Sequence, residues 1–376
     1  MEGNPAGSTP VSTIEADNYA IPTDGSYIFP GTGSTCQTGT GCGSTIYNIF
    51  SVSQNFRTAY FYNYNLNIEK GLGRSAVFQI GYVGSEGRKL LTISDINQPT
   101  PADDPDGLTK QQRRPYYSQF PNFGIINEIN STGNSNYNSL QATLKVREWH
   151  RVTSQFAYTW AHSLDLMTAY RGAMPQDNFN PKADYGNSDF DGRHAFTAVV
   201  TYDLPTPSKG PKLLLGGWQL SGLAAFRTGQ PFNITTSNDN TGTDEGNQRP
   251  NLIADPYAGV SHSFNSSGVT WLNPAAFAQP TAGTFGNLSR NKFYGPGYGA
   301  VDLAVFKNTK ITERIGTQLR VEMFNLFNRK NLAPPSGTFG SGSFLTTADT
   351  IGDYNGAPGI GPGEPFNVQL ALKLIF

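Results

Sequence analysis

What most limits this chain is a period of two, held over stretches of about ten residues, that returns from residue 60 to the last residue. Tyr60, Tyr62, Tyr64, Leu66 and Ile68 take every second position, with Phe61, Asn63, Asn65 and Asn67 between them. Side chains of an extended strand alternate between its faces, so this spacing predicts a strand with one greasy and one more polar face. A turn at Gly71-Leu72-Gly73 follows, and then Phe78, Ile80 and Tyr82 alternate with Val77 and Gln79.

The pattern then recurs in pairs. Leu140, Ala142, Leu144 and Val146 interleave with Gln141, Thr143 and Lys145; beyond residues 148–151, Phe156, Tyr158 and Trp160 interleave with Gln155, Ala157 and Thr159. Phe196, Ala198, Val200 and Tyr202 pair in the same way with Trp218, Leu220, Gly222, Ala224 and Phe226. Val301, Leu303 and Val305 are followed by Leu319, Val321 and Met323, set against Gln318, Arg320 and Glu322. A last strand carries Val368, Leu370, Leu372, Leu374 and Phe376 against Asn367, Gln369 and Lys373. This makes about nine strands.

A membrane-spanning helix needs roughly 18 or more apolar residues, and blocks such as Leu213-Leu214-Leu215 end within a few positions. A spanning strand needs only about ten residues with one apolar face, so a chain that is 37% hydrophobic can still live in lipid. Charged residues make up 15% and the net charge is −1, which is sparse for a soluble surface and offers nucleic acid no basic field.

The connections fall into two kinds. Tight turns near 70–74, 148–151, 204–216 and 309–313 alternate with long segments near 85–135, 165–191, 229–297 and 327–364. Compact soluble domains rarely carry several unstructured connections of that length, whereas outer-membrane barrels have short periplasmic turns and long outer loops. The expected fold is therefore all-β: a transmembrane antiparallel β-barrel, present in part. If the last strand descends, the strand at 56–70 descends too. Residues 1–55, rich in Gly, Ser and Thr, then form an extracellular loop region, and residues 56–376 the C-terminal portion of the barrel. Ile125, Ile126 and Ile129 fall in a loop or in an outer extension of a strand.

Nine strands leave two open edges, and each unpaired backbone group in lipid costs several kcal/mol. The piece is therefore expected to be incomplete, with further strands preceding residue 56. Residues 1–20 show neither the basic start nor the apolar core of a secretory signal.

Several stretches together resemble Oar-like TonB-dependent receptors. They include Tyr64-Asn65-Leu66 with Gly81-Tyr82-Val83-Gly84-Ser85, residues 133–141, residues 158–165, Asp191-Gly192-Arg193-His194, Thr228-Gly229-Gln230-Pro231-Phe232, and Glu322-Met323-Phe324-Asn325-Leu326-Phe327-Asn328. The resemblance covers roughly residues 56–376. It implies a barrel of about 22 strands around a plug, taking up a large or scarce solute across the Gram-negative outer membrane. The plug and the TonB-contacting segment have no counterpart here, so the TonB system would be met only through N-terminal regions outside this sequence.

Candidate functional residues are few. The alternation Val368, Leu370, Leu372, Leu374 and Phe376 looks like the signal read by the outer-membrane β-barrel assembly machinery, by strand addition. Trp160 near an outer strand end, and Trp218 with Tyr202 near inner ends, suit aromatic girdles at the headgroups. Asp189, Asp191, Arg193 and His194 cluster where a long loop enters a strand, as a solute or cation site or as an ion-pair anchor for the loop. Cys36 and Cys42, in a Gly/Thr loop, are either a small disulfide ring or two unbonded thiols. His150, His162, His194 and His262 lack a zinc spacing, and Asp239, Asp244 and Glu245 lack a calcium-loop frame. No nucleophile elbow or triad spacing appears, so neither an enzyme nor a cofactor is expected. The expected partners are outer-membrane lipid and an unknown solute met by segments 165–191 and 229–297. Two other readings are a barrel that only anchors adhesive loops and a soluble carbohydrate-binding β-sandwich.

Overall fold

Nine long strands form one antiparallel sheet in chain order. They are β1 (Tyr60–Leu72), β2 (Ala76–Asp95), β3 (Phe123–Trp149), β4 (Val152–Asp165), β5 (His194–Asp203), β6 (Trp218–Arg227), β7 (Tyr298–Lys310), β8 (Gly316–Phe324) and β9 (Asn367–Ile375). Each is hydrogen-bonded to the next, and β1 and β9 are the two margins of the described sheet. The computed structural model describes residues 27–28, 35–36, 46–101, 107–168, 174–354 and 364–376.

Register carries the alternation from strand to strand. Ile68, Ile80, Ala142, Tyr158, Phe196 and Phe226 stand opposite one another across β1 to β6. Leu220, Val305, Val321 and Leu370 continue the same face to β9. The other face runs Thr153, Thr201, Ser221, Ala304, Glu322 and Gln369. A slip of one residue in any pair would turn that strand's greasy set to the polar side, so each apolar row fixes its neighbour's register.

The apolar face has no second layer. Leu66, Leu370 and Leu372 are 66%, 71% and 69% exposed, and the cluster of buried apolar residues lies in the loops rather than beneath the sheet. Exposed apolar area on this scale is not tolerated in water, which removes the β-sandwich reading; it is the surface a strand presents to lipid.

Connections alternate as expected. One rim has tight reversals: Gly73, with φ +72°, turns β1 into β2, and His150 and Arg151, with φ of 51° and 70°, make the two-residue link between β3 and β4. Residues 204–217, with a helical turn at Lys212–Leu215, and residues 311–315 complete this rim. The opposite rim carries residues 96–122, 166–193, 228–297 and 325–366.

Three details differ from the sequence reading. The first long connection is shorter than 85–135, because β2 and β3 stay paired up to Asp95 and Asn127, which places Ile125, Ile126 and Ile129 in the strand. A short strand at Tyr47–Val52, within the expected loop region, runs parallel to Phe123–Ile129. That upper stretch of β3 rises beyond the partner strand β4, so its free backbone groups accept the addition. The long connections are also not structureless. The candidate bridge between Cys36 and Cys42 lies outside the described side chains.

Candidate functional site

The long loops of one rim fold together into a cap with its own core. Phe232, Ile234, Leu272, Ala276, Phe277, Leu288 and Phe293 from the β6–β7 loop bury themselves with Leu345 from the β8–β9 loop. Phe277 meets Phe293 and Phe344 edge-on, at centroid distances of 5.8 and 5.7 Å. Such aromatic pairs each add about 0.5–1.5 kcal/mol beyond their burial. The two loops are also joined by backbone, with Trp271 N donating to Leu345 O at 2.8 Å.

Buried arginines tie this cap to the β4–β5 loop. Arg249 Nη2 lies 2.5 Å from Asp184 Oδ1, and its Nε donates to Leu288 O at 2.7 Å. Arg290 pairs with the Asp165 carboxylate at the top of β4 and donates to the carbonyls of Asp165 and Asp184, each at 2.9 Å. Asn187 and Asn291 exchange side-chain amide bonds to each other's carbonyls at 2.8 and 2.9 Å. Charges this deeply buried persist only when paired and hydrogen-bonded, so these contacts fix the loops' relative position.

The loop-entry cluster is divided between two environments. Asp191 is buried; it accepts from Ser163 N at 2.7 Å and Tyr294 Oη at 2.6 Å, and pairs with Arg193 at 3.0 Å. Burial, followed by the Asp191 contact, pushes the Tyr294 phenol up to about 12, so it remains a donor. Asp189 accepts from Asn291 Nδ2 at 2.5 Å. His194 instead stands on the apolar face, bonded to Tyr158 Oη at 2.8 Å and stacked on its ring. The first three are tied into the cap, and His194 is not with them.

A second joint holds the β2–β3 loop against the tip of the β6–β7 loop. Lys110 bridges Asp239 and Asp244 at 2.9 and 2.6 Å, and buried Arg114 joins Asp244 to Asp95. Glu245 lies beside this joint, nearly fully buried, with its Oε1 unpartnered. Burial, then the neighbouring Asp95 charge, pushes its carboxyl up to about 8, so it is protonated at neutral pH. A carboxyl raised in the folded state favours that state fully below its ordinary value near 4.5 and loses the effect as pH rises through about 8. The protection of the joint's amides against hydrogen exchange, relative to their intrinsic rates at each pH, should therefore fall between those values. Glu245→Gln should remove that dependence, and an unchanged profile in the variant would contradict the assignment.

The remaining candidates sit on the sheet. Trp160 lies opposite Leu140 and His194; Trp218 donates from Nε1 to Leu214 O at 2.9 Å; Tyr202 lies opposite Val152 and Leu220. Val368, Leu370, Leu372 and Leu374 project from β9 in register with β8, and Phe376 is 90% exposed. His162 meets Asn187 and His262 stacks on Trp271; among the described residues no three metal-ligating side chains converge. Sequence reading gave no role to Asp165, Asp184, Arg249 or Arg290, although Asp165 and Arg290 stand in stretches that carry the family resemblance.

A sheet with a bare apolar face, tight turns on one rim and folded loops on the other defines a membrane-spanning β-barrel wall. The chain belongs to the outer membrane beta barrel domain family, whose model matches residues 1–359. It is an outer-membrane protein. No curated protein matches it. Among solved structures it is similar to the outer membrane transporter YddB from Escherichia coli, at 10% identity and a TM-score of 0.47, covering 89% of this chain and 35% of that one. It is also similar to the FrpB iron transporter from Neisseria meningitidis (10%, TM-score 0.41, 87% and 32%) and the ferric-catecholate import receptor Fiu from E. coli (12%, TM-score 0.39, 90% and 30%). The chain thus spans about a third of the length of these structures.

Proposed function

We propose that this chain is the wall and outer cap of an outer-membrane receptor that takes up a large or scarce solute with TonB-supplied energy. The observation that carries the reading is the cap: two outer loops share one core and buried ion pairs tie a third to it, making a shaped surface where a solute can be met. Loops held this rigidly can recognise, because less ordering entropy is lost on binding. The polar face of the sheet, with Thr201, Ser221 and Glu322, lines the lumen of the ring this wall helps to form. Nothing in this role requires a catalytic group.

Deleting the whole gene should impair growth when a required nutrient is scarce, and inactivating the TonB complex should have the same effect without an additive penalty. Growth indifferent to both deletions, with loss of cell attachment instead, would replace transport by a purely anchoring role.

A further inference from the structure

The inner rim carries a feature that transport does not use. Between the turns at 204–217 and 311–315 lies a cleft of about 640 Å³, lined by Lys212, Lys310 and Arg314 together with Leu213, Ile315 and Ile375. We propose that this cleft binds the phosphate headgroup of an anionic glycerophospholipid from the periplasmic leaflet of the outer membrane.

Charge is the first argument. Lys212, Lys310 and Arg314 are exposed and form no ion pair among the described residues, and Glu313 is the one acid lining the cleft. An arginine fork beside two ammonium groups suits a phosphate diester. The fourth cation, Lys307, serves the structure: its Nζ donates to Leu213 O at 2.8 Å and Gly216 O at 2.6 Å, and lies 5.7 Å from the Trp218 ring centre. It fastens the turn to β7, so the cleft is preformed.

Greasy side chains supply the second argument. Leu213 and Leu214, on the helical turn, are 62% and 64% exposed, and Ile311, in the neighbouring 311–315 turn, is 60% exposed. A rim facing only water would not present them. They continue the lipid-facing surface past Trp218 and Tyr202, at the level where headgroups meet acyl chains, so one molecule can place phosphate on the cations and tails along Leu213 and Ile315. A soluble phosphate compound would leave the apolar half uncovered.

The test uses the intact barrel protein purified in neutral detergent, with native mass spectrometry counting retained lipid. Phosphatidylglycerol should bind at one molecule per barrel, in preference to phosphatidylcholine. The triple variant K212Q/K310Q/R314Q should weaken retention by about tenfold or more. The charge-keeping K212R/K310R/R314K should retain it, and all three proteins should show the same heat-modifiable gel mobility. Equal retention by wild type and the neutral variant, no preference over phosphatidylcholine, or displacement by equimolar inorganic phosphate would each overturn the proposal.

Discussion

Arginine in place of Val200 or Leu372 should cost about 2–4 kcal/mol near the bilayer midplane, while arginine at the adjacent Thr201 should be tolerated. Val200 lies opposite Ser154 and Gly222, and Leu372 opposite Leu319, all on the greasy face. Thr201 belongs to the other face, with its Oγ1 3.3 Å from Ser221 Oγ. The difference is one of solvent: an extra guanidinium on the first face must be dragged into hydrocarbon, and on the second it reaches water. Folding yield in lipid vesicles, read by heat-modifiable mobility, measures it. Equal defects at Val200 and Thr201 would contradict the assigned faces.

The second large effect is expected at Arg290. Replacing it with Met leaves the buried Asp165 carboxylate without its partner and two carbonyls without a donor, a loss of about 3–5 kcal/mol. That loss falls on the cap rather than on the sheet. Limited proteolysis should cut within residues 228–297 of the variant while the strands stay protected, and Arg290→Lys should rescue only in part, because one ammonium cannot reproduce the guanidinium's fork. Unaltered protease resistance in Arg290→Met would show that the apolar core alone holds the loops.

How legible each part was depended on whether its partners are close in sequence. Leu140 to Val146 and Phe156 to Trp160 announce themselves, because lipid on one side and water on the other force a contrast at every step. The contrast fades where β2 and β3 rise toward Asp95 and Phe123: Ile125, Ile126 and Ile129 no longer alternate cleanly, and the strand could not be told from a loop. The cap was hidden for a different reason. Arg249 finds Asp184 across 65 residues and Arg290 finds Asp165 across 125, and neither pairing leaves a spacing that can be read. Asp189, Asp191 and Arg193 were visible as charges at a strand entrance, but that His194 would face away from them required the register of β4 with β5.

The separate core of the cap means that one polypeptide is held together by two unlike solvents. Phe232, Leu272 and Phe277 gather because water expels them, and that drive weakens when the aqueous medium is made more hospitable to apolar groups. The wall beneath takes its support from hydrocarbon and from backbone pairing that lipid does not compete for. A change in the outside medium can therefore loosen the cap while the wall stays fixed in the membrane.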